Sequence, residues 1–123
     1  MSHGNDVTML GAHAQTAQAK AAYDARYERI LACARLEQPD RMPVAMQSFF
    51  WPATHGGITY QELMYDYEKA KKVCFDVVAE FEPDGVYPLL MGTNMGRALE
   101  KLEFKQLQWP GHGVGPMQPF QYL

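Results

Sequence analysis

The sequence predicts an α/β fold from three observations. Two apolar runs of strand character, at 43–50 and 85–91, flank a long helical pattern. A capping box opens that pattern, so its direction and start are written locally. The 123 residues, 47% hydrophobic and 20% charged, have the composition and length of one globular domain. A strand, a crossover helix of about twenty residues and a second strand form a βαβ unit, whose strands run parallel and whose hand is nearly always right.

Residues 1–17 are small, polar and aperiodic; they read as a flexible leader, with His3 and His13 as solvated tail residues. Helical character begins near Ala17 and runs to about Leu36, because Tyr23, Tyr27, Ile30, Leu31 and Ala34 recur on one face. Pro39 stops it, since the residue before a proline is pushed out of the α region. Pro43–Phe50 reads as the first strand. Its proline stands at the start, where a strand tolerates one, and both faces are apolar, as in a parallel strand covered by helices. Trp51–Gly57 reads as a loop ending in two glycines.

Thr59 and Glu62 form the capping box, with Ile58 and Leu63 at the staple positions. Leu63, Tyr67, Ala70, Cys74, Val77 and Phe81 then repeat as a buried seam that ends at Pro83, and Asp66 is placed to cap a second segment within it. Cys74 lies on the seam and reads as a core thiol, not a nucleophile. Gly85–Met91 is the second strand, with Pro88 its least compatible residue. Met95–Leu102 forms a short helix with Leu99 and Leu102 inward, and Phe104–Trp109 alternates as a half-exposed strand. Pro110–Pro119 carries turn chemistry.

Composition narrows the function. Net charge is −3, and Lys69, Lys71, Lys72 and Lys101 are interspersed with acids, so no basic stripe suits nucleic acid. No run approaches the ~18 apolar residues of a membrane span, and the N-terminus lacks the pattern of a secretory signal. Two cysteines, Cys33 and Cys74, then imply reduced thiols and a cytoplasmic setting. No His/Cys spacing suits a metal, and the Gly-rich run around His112 lacks a phosphate-binding motif.

Four stretches occur in the order seen in one family: Arg29–Ala32 leading through Gln38-Pro39-Asp40-Arg41-Met42-Pro43-Val44, then Tyr65–Lys69, then Phe81–Gly85, and finally Phe104–Pro116 with its Trp-Pro-Gly-His-Gly-Val-Gly-Pro run. This set resembles the N-terminal segment of the uroporphyrinogen decarboxylase superfamily, over about Tyr23–Leu123. The resemblance implies a (β/α)8 TIM barrel, and since such a barrel needs ~250 residues or more, 18–123 would be an incomplete barrel domain. Porphyrinogen decarboxylases grip substrate carboxylates with arginines after the first strand and carry an aspartate at the end of the second. Bidentate guanidinium contacts are hard to replace. Here the matching stretch is Gln47–Pro52, without arginine, and the aspartate's place falls near Met91.

The resemblance therefore points to the superfamily's corrinoid-linked methyltransferase branch. Its members move methyl groups between a corrinoid protein and a thiol or small methylated substrate, some through a zinc-held thiolate. No cofactor is expected in this chain itself; zinc and a corrinoid partner belong to a full-length parent, and the chain alone is expected to be inactive. Two alternatives stand beside this reading: a decarboxylase with a diverged site, and a non-catalytic interaction protein that oligomerises through exposed strand edges.

Barrel enzymes bind substrate at the C-terminal ends of their strands. This selects Gln47 and His55 after the first strand and Asn94 after the second as substrate-binding candidates, with no catalytic residue or metal ligand assigned. Two of them have a plainer reading: Gln47 satisfying loop backbone, and His55 as a solvated loop histidine. Phe49, Phe50 and Trp51 fit either a pocket wall or ordinary packing.

Overall fold

The computed structural model describes residues 16–87 and 93–123. His3 and His13 of the leader, and Pro88 and Met91 of the second apolar run, lie outside the described residues. The chain divides into two compact units, Met1–Met42 and Pro43–Leu123.

The first unit is built on helix α1 (Ala17–Ala34), which begins where Thr16 Oγ1 accepts a hydrogen bond from the Ala19 amide at 3.1 Å. Beyond its end Leu36 takes a left-handed conformation, φ 61°. Arg29 then holds the turn: its Nε and one terminal nitrogen each lie 2.7 Å from an Asp40 carboxylate oxygen. That bidentate pair brings the Asp40 carboxyl down to about 2, mainly through the Arg29 hydrogen bond. The expected apolar stripe is present as a stacked Tyr23–Tyr27 pair, yet no residue of α1 is buried.

The second unit is mixed α/β with small sheets. Strand β1 (Ala45–Met46) pairs in parallel with β2 (Gly85–Val86), in the register Ala45↔Gly85 and Met46↔Val86. The ladder is much shorter than the apolar runs that predicted it. Asp84 fixes its beginning: the carboxylate accepts from the Val44 amide at 2.8 Å, while the Asp84 amide donates to the Val44 carbonyl at 2.9 Å.

Three helices make the crossover. Trp51–Gly57 is not a loop: Trp51–Gly56 is helix α2. Pro52 stands in the first turn, where its missing N–H costs nothing, and Gly57 ends the helix at φ 73°. The glycine that suggests a loop is also the residue that stops the helix. Helix α3 (Tyr60–Tyr65) opens on the complete capping box, with Thr59 Oγ1 3.0 Å from the Glu62 amide and the Glu62 carboxylate 2.8 Å from the Thr59 amide. Asp66 breaks the run and caps helix α4 (Tyr67–Phe81) by accepting from the Lys69 amide.

Because the axis restarts at Asp66, the buried stripe of α4 is Ala70, Val73, Cys74 and Val77. Tyr67 and Phe81, expected on that seam, are about half exposed at the helix ends. Gly56 lets α2 approach α4 closely, since a Cβ there would collide with the Val73 side chain.

Helix α5 (Gly96–Lys101) follows. Leu99 packs inward as expected, but Leu102, just past the helix, is 74% exposed. Strand β3 (Leu107–Pro110) buries Leu107 and Trp109 and leaves Gln108 half-exposed, following the sequence alternation. The Pro/Gly-rich tail adds β4 (Gly113–Val114) and β5 (Gln121–Tyr122), in the order β4–β3–β5. β5 is antiparallel to β3, with Leu107 opposite Tyr122. The parallel register of β4 with β3 is a local curl, closed by mutual hydrogen bonds of Trp109 and His112 at 2.9 and 2.7 Å. Gly111 and Gly113, at φ 83° and 90°, permit it.

The core joins α2, α3, α4 and β3 through Ala53, Leu63, Met64, Cys74 and Trp109, all nearly or fully buried. Among the described residues, no helix is long and apolar enough to cross a membrane.

Candidate functional site

The three predicted substrate-binding residues take different places, and no hydrogen bond or ring contact joins them among the described residues. Gln47 follows β1 directly and is exposed. Beside it, Ser48 Oγ is buried without a hydrogen-bond partner. Such orphaned hydroxyls are uncommon in folded proteins and call for an explanation. Sequence reasoning passed over Ser48 because serine in a short apolar run carries no pattern.

His55 is helical, on the last turn of α2, where the sequence suggested a loop. Its ring stacks on Trp51 at a centroid distance of 4.8 Å and meets Phe81 edge-on at 5.7 Å, while Nε2 lies 2.7 Å from a Glu80 carboxylate oxygen. His55 therefore joins α2 to the end of α4. Phe50 of the aromatic run packs in the core against Tyr60 and Phe120, whereas Phe49 and Trp51 stay about half exposed.

Asn94 is half-buried and spends its amide on backbone: Nδ2 donates to the Leu63 carbonyl at 2.7 Å. That carbonyl lies in the last turn of α3, where carbonyls run out of helical partners. This helix-end contact is a role for Asn94 that the sequence reading did not assign.

Among the described residues of the second unit, two clefts stand out. One, of about 620 Å³, is bordered by Glu62, Asp66, Asn94 and Arg97. Three of its polar groups hold helices: Glu62 binds Thr59 and Lys69, Asp66 caps α4, and Asn94 caps α3. The Lys69 ammonium, with the two Thr59 contacts, draws the Glu62 carboxyl down to about 2.

The other cleft, of about 540 Å³, lies against α5 and β3. A hydrogen-bonded chain borders it. The indole Nε1 of fully buried Trp109 donates to the Tyr65 hydroxyl at 2.8 Å, and that hydroxyl donates to a Glu100 carboxylate oxygen at 2.6 Å. Burial and the adjoining carboxylate raise the Tyr65 phenol above its ordinary range, so it remains a neutral donor. His112, which the sequence left in a turn, stacks flat on Trp109 with centroids 4.1 Å apart and rings 9° from parallel.

Cys74 is buried and its thiol is pushed up by that burial; Cys33 is half-buried on α1. Among the described residues, no three His, Cys, Asp or Glu side chains converge as a metal site. No family model, curated protein or solved structure matches the chain.

Proposed function

We propose that this chain is the N-terminal segment of a uroporphyrinogen-decarboxylase-like barrel enzyme of the corrinoid-linked methyltransferase branch. The observation that carries the reading is the parallel β1–β2 ladder reached through the α2–α4 crossover, the unit from which such barrels are assembled. The Arg29–Asp40 clamp before the first strand and the Asp84 contact at the second give roles to residues of the two stretches that resemble the family. The missing arginines after β1 favour methyl transfer over decarboxylation.

In this reading a methyl group leaves a small methylated donor, or a thiol receives one, with a corrinoid protein as the other party. This chain contributes the floor at the end of β1. Exposed Gln47 hydrogen-bonds a polar substrate group, and the Ser48 hydroxyl gains the partner it lacks. His55, held by Glu80 and two rings, orients the neighbouring segment.

The test is an assay of the product of the complete reading frame with cob(I)alamin and a panel of methoxylated aromatics, methylamines and methyl thiols. Methylcobalamin should form with at least one donor and not with the 123-residue chain alone. A frame too short to encode a barrel, or conversion of uroporphyrinogen to coproporphyrinogen with no methyl transfer, would overturn the reading.

A further inference from the structure

The cleft at α5 and β3 has features of a binding site independent of the methyl-transfer reading. Its size lies within the ~300–1,000 Å³ usual for small-molecule pockets. Leu99, Phe104 and Leu107 supply apolar surface, and the Glu100 carboxylate stands at its border with its orientation set. The orienting chain runs through Tyr65 to the indole of Trp109, which is 0% exposed and cannot readily shift. An apolar wall beside a few fixed polar groups is how such pockets combine affinity with orientation. In the larger cleft Glu62 and Asp66 are engaged in capping and in the Lys69 ion pair.

Charge decides the class of ligand. Glu100 and Glu103 border the cleft against the single ammonium of Lys105. A cation is therefore favoured over an anion, and the exposed His112 ring, stacked on buried Trp109 and lining the cleft, offers a flat surface to an apolar body. We infer that this cleft binds small aromatic ammonium compounds, with the ammonium on Glu100 and the ring against Leu99, Phe104 and Leu107.

The test uses the intact chain and ¹H–¹⁵N spectra. The sequence has two tryptophans, so comparison with Trp51→Phe assigns the Trp109 indole signal. Phenethylammonium should move that signal saturably, with a dissociation constant on the order of 1 mM for a ligand of about nine heavy atoms. Phenylacetate, of similar shape and opposite charge, should move it at least about tenfold less. Glu100→Gln, which keeps an oxygen for Tyr65, should weaken phenethylammonium by about tenfold. Equal response to both compounds, a preference for phenylacetate, or no saturable shift with phenethylammonium overturns the inference. The comparison of charges needs only the native protein, so a poorly folded Glu100→Gln cannot obscure the result.

Discussion

Gly96 has no room for a side chain. A Cβ there would lie 2.6–2.9 Å from three ring carbons of Tyr65, the residue that links Trp109 to Glu100. Gly96→Ala should therefore destabilise by about 1–3 kcal/mol, the usual range for overpacking, read as a lower urea midpoint. Ser48 predicts the opposite sign. Its buried hydroxyl makes no hydrogen bond, so Ser48→Ala should leave stability unchanged or raise it by up to about 1 kcal/mol. A clear loss would mean the hydroxyl has a partner in solution. Neither residue was legible in the sequence. A glycine heading a short helix and a serine in an apolar run become meaningful only when a distant ring approaches the one and the solvent leaves the other.

Caps were the most legible feature, because their geometry spans three or four residues. Thr59, Glu62 and Asp66 all act where the sequence placed them. Thr59→Ala should cost about 0.5–2 kcal/mol. The pH dependence follows from Glu62. Its carboxyl titrates at about 2 when folded against an ordinary 4.5, so the stabilisation is complete above the unfolded value and disappears as pH falls through about 2. An NMR titration of the Glu62 carboxyl should give a midpoint near 2; a midpoint near 4.5 would reject the capping box and the Lys69 contact in solution. Helix ends offer another test. Glu82 closes α4 at φ 43°, where glycine is the usual occupant, so Glu82→Gly should stabilise by about 0.5–1 kcal/mol. Helix α2 is hidden in the sequence because its two terminal glycines suggest a loop, although Gly57 stands at the end where a helix accepts one.

The pairing of distant segments divided into what periodicity could reach and what it could not. The parallel β1–β2 connection was foreseen from its crossover; the return of Gln121–Tyr122 to β3 was not, because two residues hold no register signal. The short β1–β2 ladder has Val44, Phe49, Val86 and Tyr87 around half exposed or more beside and within it. Two-stranded sheets of this kind seldom stand alone in water. Sedimentation of the 123-residue chain should therefore show mass increasing with concentration, and a sharp monomer across that range would remove the support for a sheet completed by other strands. Asp84 gives this a sharper form. Sliding one strand along the other by a single step would strand the Val44 amide and turn each side chain to the opposite face. One carboxylate thus works as an indexing pin: whatever segment later joins this sheet meets a template whose alignment is already decided.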